Sequence, residues 1–307
     1  MADATGRGLA RRAGDRMVGW IVRGLFALLR VLGPDASSAL GGAVARTIGP
    51  FLGASRVALA NLERFMPQLD ARARRRVLRE VWDNLGRTGA EFPHLARLAA
   101  ERTELVGGEV FERIRASGRG AIFFCAHTGN WEIAPPTARR FGVFVNVVYR
   151  AMSNPHVDAI VLRERGSSAE SAVAKGAAGA RRLVALAAEG RHIAVLLDQK
   201  MNDGIPAPFF GVDAMTAPAP AQLALRHKLP LVPVRIERLG GARFRMTVQE
   251  PLPLPASGDR RKDVEALVAA VNATIECWVR ERPGEWLWLH RRGPAPAPGS
   301  GRKDGGP

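Results

Sequence analysis

At 307 residues the chain can bury a substantial core as one large domain, and a formal net charge of +16 with a pI near 11.3 predicts acidic partners. A single tyrosine, no aromatic-basic strand signature and no Cys/His finger spacing exclude a nucleic-acid reader, which leaves anionic lipid or an acidic protein. The two cysteines, Cys125 and Cys277, stand far apart in apolar segments and read as reduced packing residues; no metal-ligand cluster is present.

Residues 1–15 are rich in Gly, Ala and Arg and read as a frayed tail. From 16 to 32 the pattern is helical. Arg12, Arg16, Arg23 and Arg30 fall in one stripe of that helix, while Trp20, Ile21, Leu25, Leu28, Leu29 and Leu32 spread over much of the rest. A spanning helix would carry Arg23 to mid-bilayer at a cost of at least ~2.5 kcal/mol. The expectation is therefore an amphipathic helix lying in a membrane interface, with packing on the protein's own core as the alternative. No small-residue cleavage site follows in a signal-like context. Gly33-Pro34 stops the helix, and further helices are predicted over 55–66, ended by Pro67, and over 70–92. Arg72, Arg74, Arg75, Arg76 and Arg79 crowd the start of the latter against the macrodipole, which marks an anion-facing surface or a solvated face.

Residues 121–126 are an unbroken apolar run after Ser117-Gly118-Arg119-Gly120, the mark of a strand covered on both faces in a parallel sheet. His127-Thr128-Gly129-Asn130-Trp131-Glu132 follows at the carboxyl end of that strand, where such sheets place their sites. A tight turn through Gly129 can fold Glu132 back toward His127, giving a carboxylate that orients a histidine general base. A short helix over 131–141 tolerates Pro135 and Pro136 in its first turn. A strand over 143–149 ends at Arg150, a cation suited to a phosphate or a developing oxyanion, or else to solvent.

Helices over 155–165 and 177–189 lead to a strand over 192–197 that stops at Asp198-Gln199. Asp198 either serves the site or braces the next loop. Pro208-Phe209-Phe210-Gly211 and Thr216 come next, then a helix over 222–228 and a hairpin of 231–238 with 243–249 around Gly240-Gly241. A helix over 263–281 runs into residues 283–292, where Trp286 and Trp288 pack the core or line a membrane interface. From Gly293 a Pro/Gly tail is expected to be disordered.

His127-Thr128-Gly129-Asn130-Trp131-Glu132 resembles the signature of the bacterial lipid A biosynthesis acyltransferase family, the lauroyl and myristoyl transferases, within the wider His-x4-Asp/Glu acyltransferases. Arg150-Ala151-Met152-Ser153-Asn154-Pro155 is similar to the family's Tyr-Arg-x3-Asn-Pro string. Asp198-Gln199, Phe209-Phe210-Gly211 and Thr216 follow in the family's order, with Lys200 standing where many members carry an acidic residue. Asn61-Leu62 ahead of Pro67 resembles the family's amino-terminal region, and residues 283–292 resemble its Pro-x-Glu/Gln-Trp-x-Trp-x-His-x-Arg ending. The resemblance covers residues 16–292.

It implies an α/β fold with a mainly parallel central sheet flanked by helices, glycerol-3-phosphate acyltransferase-like, behind an amino-terminal amphipathic membrane helix. The organisation expected is 1–32 tail and interface helix, 33–292 acyltransferase domain, and 293–307 tail. It further implies an O-acyltransferase in which His127 and Glu132 are catalytic and Asn130, Arg150, Asn154, Asp198, Gln199, Phe210, Gly211 and Thr216 bind substrate, with no metal and no cofactor. The implied donor is an acyl thioester of acyl carrier protein or CoA, and the acceptor is a hydroxyl of a membrane glycolipid, foremost a Kdo-bearing lipid A precursor. The implied place is the cytoplasmic face of the inner membrane, an anionic surface. Other acceptors, lysophospholipid or another glycolipid, stay open, as does a non-enzymatic basic membrane-surface protein. A covalent route has one candidate, Cys125, two residues before His127; Gly-x-Ser-x-Gly is absent, and Ser167-Ser168 lack a strand-turn-helix context.

Overall fold

The computed structural model describes residues 2–166 and 170–292, so Ser167-Ser168 and the expected tail from Gly293 lie outside the described residues. Helix α1 (Ala2–Ile48) is kinked at Gly33, whose φ of 77° and ψ of 171° are not helical. Pro34 follows directly; lacking an N–H and fixed in φ, it opens a helical segment as readily as it closes one. The expected frayed tail is thus helical from Ala2, and Gly33-Pro34 bends the helix where a stop was expected. Helix α2 (Ala54–Phe65), α3 (Ala71–Glu91) and α4 (Leu95–Glu101) follow. Asp70 caps α3, its carboxylate accepting from the Ala73 amide at 2.7 Å.

The sheet-forming part runs β1 (Thr103–Val106), α5 (Gly108–Ala116), β2 (Ile122–Cys125), α6 (Ala134–Arg140), β3 (Val145–Tyr149), α7 (Pro155–Gly166), β4 (Ser171–Ala174), α8 (Ala177–Ala188), β5 (His192–Leu196), β6 (Ile205–Phe209), β7 (Val212–Thr216), α9 (Ala219–His227), β8 (Leu231–Gly240), β9 (Arg243–Val248) and α10 (Arg260–Glu281). Seven strands form one sheet in the order β1-β9-β8-β2-β5-β3-β4. Every neighbouring pair in it is parallel except the β8/β9 hairpin. The strands β6 and β7 pair apart from it as a small antiparallel hairpin.

Strand β2 sits mid-sheet and is buried on both faces, as an unbroken apolar run requires. Ile122 and Phe124 join the core under α8, α9 and α10. Phe123 and Cys125 point the other way, into a second core with Phe111, Val145, Val234 and Met246. Trp286 and Trp288 are buried in the first core, which settles their place between core and interface. Cys277, expected inside, is exposed on α10.

An apolar face of α1 is left uncovered. Met17, Trp20, Ile21, Leu25, Leu28, Val31 and Leu32 recur at one-turn spacing and are exposed, Trp20 to 68% and Val31 to 86%. Past the kink, Leu40, Val44, Ile48, Phe51 and Leu52 continue the exposure beyond residue 32, the expected end of the interface segment. The rest of α1 packs on α3 and α7. By length and composition the stretch Arg12–Phe51 is apolar enough to cross a membrane. A contiguous apolar surface of this kind on a folded chain marks an interaction face.

Candidate active site

Strands β2 and β5 are parallel neighbours with Cys125 opposite Leu196. Two residues further, the same register sets His127 against Asp198 at the carboxyl edge of the sheet. The contact is direct. His127 Nδ1 lies 2.7 Å from Asp198 Oδ1, and Asp198 Oδ2 accepts from the His127 backbone N–H at 2.9 Å and from the Trp286 indole N–H at 2.7 Å. Burial alone would raise the Asp198 pKa; the attraction of His127 together with the hydrogen bonds from His127 and Trp286 outweighs it and holds the carboxyl at about 2. An ionised carboxylate only accepts, so Nδ1 carries the proton and Nε2 of the neutral ring keeps its lone pair. The amide nitrogen of Gln199 is 3.4 Å from Nε2.

This arrangement carries a signature in acid. The folded Asp198 pKa of about 2 lies below its ordinary 3.8, so ionised Asp198 stabilises the fold above about pH 4, and that contribution is lost as pH falls through about 2. The melting temperatures of wild type and Asp198→Asn, which cannot titrate, are expected to converge between pH 4 and 2. Thermal melts across that range check it.

Glu132 does not pair with His127 as expected. Gly129 adopts φ 54°, a 3-10 turn starts at Trp131, and the carboxylate is carried toward α7. There Arg165 Nε donates to Oε2 at 2.8 Å and Arg165 Nη2 donates to Oε1. The Trp131 indole N–H also donates to Oε1, at 3.1 Å, and its ring stands edge-on to the imidazole with centroids 4.9 Å apart. Glu132 therefore braces the neighbour of the imidazole and leaves the imidazole itself to Asp198.

The turn is fixed from several sides. A Cβ on Gly129 would sit 2.7 Å from the Ile236 carbonyl oxygen, so no larger residue fits there. The Gly129 carbonyl accepts from Asn84 at 2.8 Å and Thr88 at 3.1 Å. Leu287 N–H donates to the His127 carbonyl at 3.1 Å, and Thr128 bridges Trp286, so the distant Trp-x-Trp string closes over the end of β2. Asn61 anchors that string by donating to the Trp288 and His290 carbonyls at 2.8 Å each.

A cavity of about 450 Å³ opens beside His127 between the sheet and α5 and α6. Phe111, Phe123, Val145, Val147, Val234 and Met246 line its apolar depth, while Glu132 with its partner Arg165, and Arg150, Lys175, Gln199 and His290, give its polar part. Of the expected substrate-binding residues, Arg150 and Gln199 line this space and Asp198 holds His127. The other five do not line it: internal partners hold Asn130, Asn154, Phe210 and Thr216, and Gly211 is an exposed turn residue. Asn130 is buried, donating to Glu91 Oε2 at 2.8 Å and accepting from the Glu132 amide at 3.2 Å. Asn154 caps α7 by accepting from the His156 amide at 2.9 Å and donates to the Asp15 carbonyl at 3.0 Å. Phe210 and Gly211, both at positive φ, make the β6/β7 turn, with the Phe210 ring against Phe65 and Trp288. Thr216 is buried against Asn272 and accepts from Arg292 Nη2 at 3.1 Å.

Sequence reasoning missed Arg165 and Lys175. Neither had a readable signal: Lys175 follows β4 as Arg150 follows β3, but β4 is four residues long and does not stand out from a loop, and the place of Arg165 depends on how α7 packs.

The sequence model described as bacterial lipid A biosynthesis acyltransferase matches residues 7–293. The chain belongs to that family. Among curated relatives, the Lipid A biosynthesis lauroyltransferase of Escherichia coli (strain K12) is 25% identical over 245 residues, 76% of this chain and 76% of that protein. Among solved structures, the 1-acyl-sn-glycerophosphate (LPA) acyltransferase PlsC from Thermotoga maritima overlaps loosely, at a TM-score of 0.36 and 12% identity, covering 85% of this chain and 98% of that one. As a member of the lipid A acyltransferase family the chain is an acyltransferase with a lipid acceptor.

Proposed function

We propose that this acyltransferase moves a fatty acyl chain from a thioester donor, acyl carrier protein or else CoA, to a hydroxyl of a lipid A precursor, with His127 as general base. The observation that carries the reading is an imidazole whose Nδ1 is held by ionised Asp198 while the ring borders an apolar cavity of about 450 Å³. A hydroxyl is a poor nucleophile at neutral pH. Nε2 removes its proton as the oxygen attacks the thioester carbonyl; the tetrahedral intermediate then expels the thiolate, which takes the proton back from the imidazolium. Ester and free thiol result, Asp198 stays ionised throughout, and the balance requires no cofactor. The apolar depth suits the acyl chain. Glu132 contributes as a positioning carboxylate, acting through Trp131 and Arg165.

The covalent alternative loses its nucleophile. Burial pushes the Cys125 thiol up to about 12, and it donates to the Val234 carbonyl at 2.7 Å, so it is not a thiolate at neutral pH. Cys125→Ala is expected to retain most transfer, and intact-protein mass spectrometry after incubation with donor alone should find no acyl-enzyme.

We place the enzyme on the cytoplasmic face of the inner membrane; the exposed apolar face of α1 supports a membrane seat beside the lipid acceptor. On α3, Arg72, Arg75 and Arg79 are exposed with no ion-pair partner among the described residues, and Arg76 reaches Glu80 only at 3.9 Å. Such a surface attracts an acidic carrier protein over the ~8 Å Debye length of physiological salt. The reading is tested by mass spectrometry of lipids from cells with and without the gene. Lipid A lacking one acyl chain in the deletion is the expected result; unchanged lipid A with altered phospholipids would transfer the enzyme to the lysophospholipid class.

A further inference from the structure

Strands β3 and β4 are parallel neighbours with Tyr149 opposite Ala174, and Lys175 N–H donates to the Tyr149 carbonyl at 2.9 Å. The register therefore sets Arg150 beside Lys175, just past the carboxyl ends of the two strands. Along the sheet edge β2, β5, β3 and β4 thus present His127, Asp198, Arg150 and Lys175 in that order. At about 4.8 Å per strand the two cations stand roughly 10–15 Å along the edge from His127. Both are exposed, both line the cavity that holds His127, and neither has a carboxylate at ion-pair distance among the described residues. His290 lines the same opening. Desolvation first, and the electrostatic influence of His127, Arg150 and Lys175 after it, lower its pKa against the opposite pull of Asp198, which places it beside them.

Cations left unpaired at the open end of a ligand cavity await an anion from the ligand. We propose that Arg150 and Lys175, with His290 beside them, bind a phosphate group on the headgroup of the lipid acceptor. This rests on the acceptor being a membrane lipid. The position favours the acceptor over the donor, because Arg150 leads through Met152 and Asn154 into α7, and Asn154 bonds to Asp15 on α1, the helix with the exposed apolar face. The phosphodiester of a pantetheine arm belongs to a water-soluble carrier and lies at the far end of the arm from the thioester.

The test uses full-length enzyme in mixed micelles, acyl carrier protein thioester as donor, and a lipid A precursor before and after phosphatase treatment. Charge-assisted hydrogen bonds are stronger than neutral ones, so wild type should prefer the phosphorylated acceptor at least ~10-fold in kcat/KM. In Arg150→Ala/Lys175→Ala the preference should shrink to within about threefold, through the acceptor KM, with the donor KM little changed. Both side chains are exposed, so the core is untouched by their removal. A wild type indifferent to the phosphate would overturn the proposal while leaving the transfer reading intact. A double variant whose KM rises for the donor instead would assign the cations to the pantetheine phosphodiester and overturn it too. Should no lipid be acylated at all, the transfer reading fails, and direct binding decides the phosphate site. Inorganic phosphate at matched ionic strength should raise the NMR-measured pKa of His290 in wild type and not in the double variant; no shift in wild type would overturn the site.

Discussion

Replacing His127 by alanine is expected to lower turnover by ~10²–10⁴, the usual contribution of a positioned general base, without unfolding the chain. The fold should persist because Asp198 keeps two of its three donors, the residue-127 backbone N–H and the Trp286 indole. The loss should fall on kcat at saturating donor and acceptor, since the imidazole acts on the proton that moves during attack and adds little to ground-state binding. Steady-state kinetics with circular dichroism of the same sample checks both halves of the expectation.

Stripping apolar side chains from α1 is expected to release the protein from membranes. Trp20, Leu28 and Val31 are each more than half exposed, at 68%, 53% and 86%, so replacing all three with serine leaves the core alone. Full burial of a large apolar side chain is favourable by ~1.5–3 kcal/mol. Even half of that for each residue sums to ~2–4 kcal/mol, roughly a 10²-fold drop in partitioning. Substitution is a cleaner test than deleting residues 1–32, because α1 also packs on α3 and α7 and its exposed face continues to Leu52. Sedimentation with anionic vesicles measures it. High salt should free the intact protein only in part, because screening weakens the arginine attraction and leaves the apolar burial; complete release by salt would make the attachment purely electrostatic.

The elements that stand alone in the sequence were the legible ones. Residues 121–126 announce a buried central strand by lacking any polar alternation, and His127 follows at its reactive end. The proline and glycine breaks bounded α2, α3 and the β8/β9 hairpin within a few residues. Strands β1 and β4 were not visible, because four residues such as Thr103-Glu104-Leu105-Val106 or Ser171-Ala172-Val173-Ala174 carry too little periodicity to separate from a loop. The partner of His127 was hidden for a different reason. Glu132 is near in sequence, whereas Asp198 becomes its neighbour only because β5 lies next to β2, a fact of strand order that local spacing does not encode. Asn130, Asn154 and Thr216 show the opposite case. They stand in motif strings, but buried amides and hydroxyls need partners, and here those partners belong to the fold.

The most direct test of the catalytic pair is the single-turnover rate of acyl transfer in Asp198→Asn set beside that in Glu132→Gln, each with donor and acceptor saturating. Asparagine can offer Nδ1 its carbonyl oxygen but no charge to steady the imidazolium, while glutamine keeps an oxygen for Arg165 and leaves the imidazole alone. The expected result is a loss of at least ~10² in Asp198→Asn and a much smaller one in Glu132→Gln. A Glu132→Gln rate as low as that of His127→Ala, with Asp198→Asn close to wild type, would contradict it and return the base's partner to Glu132.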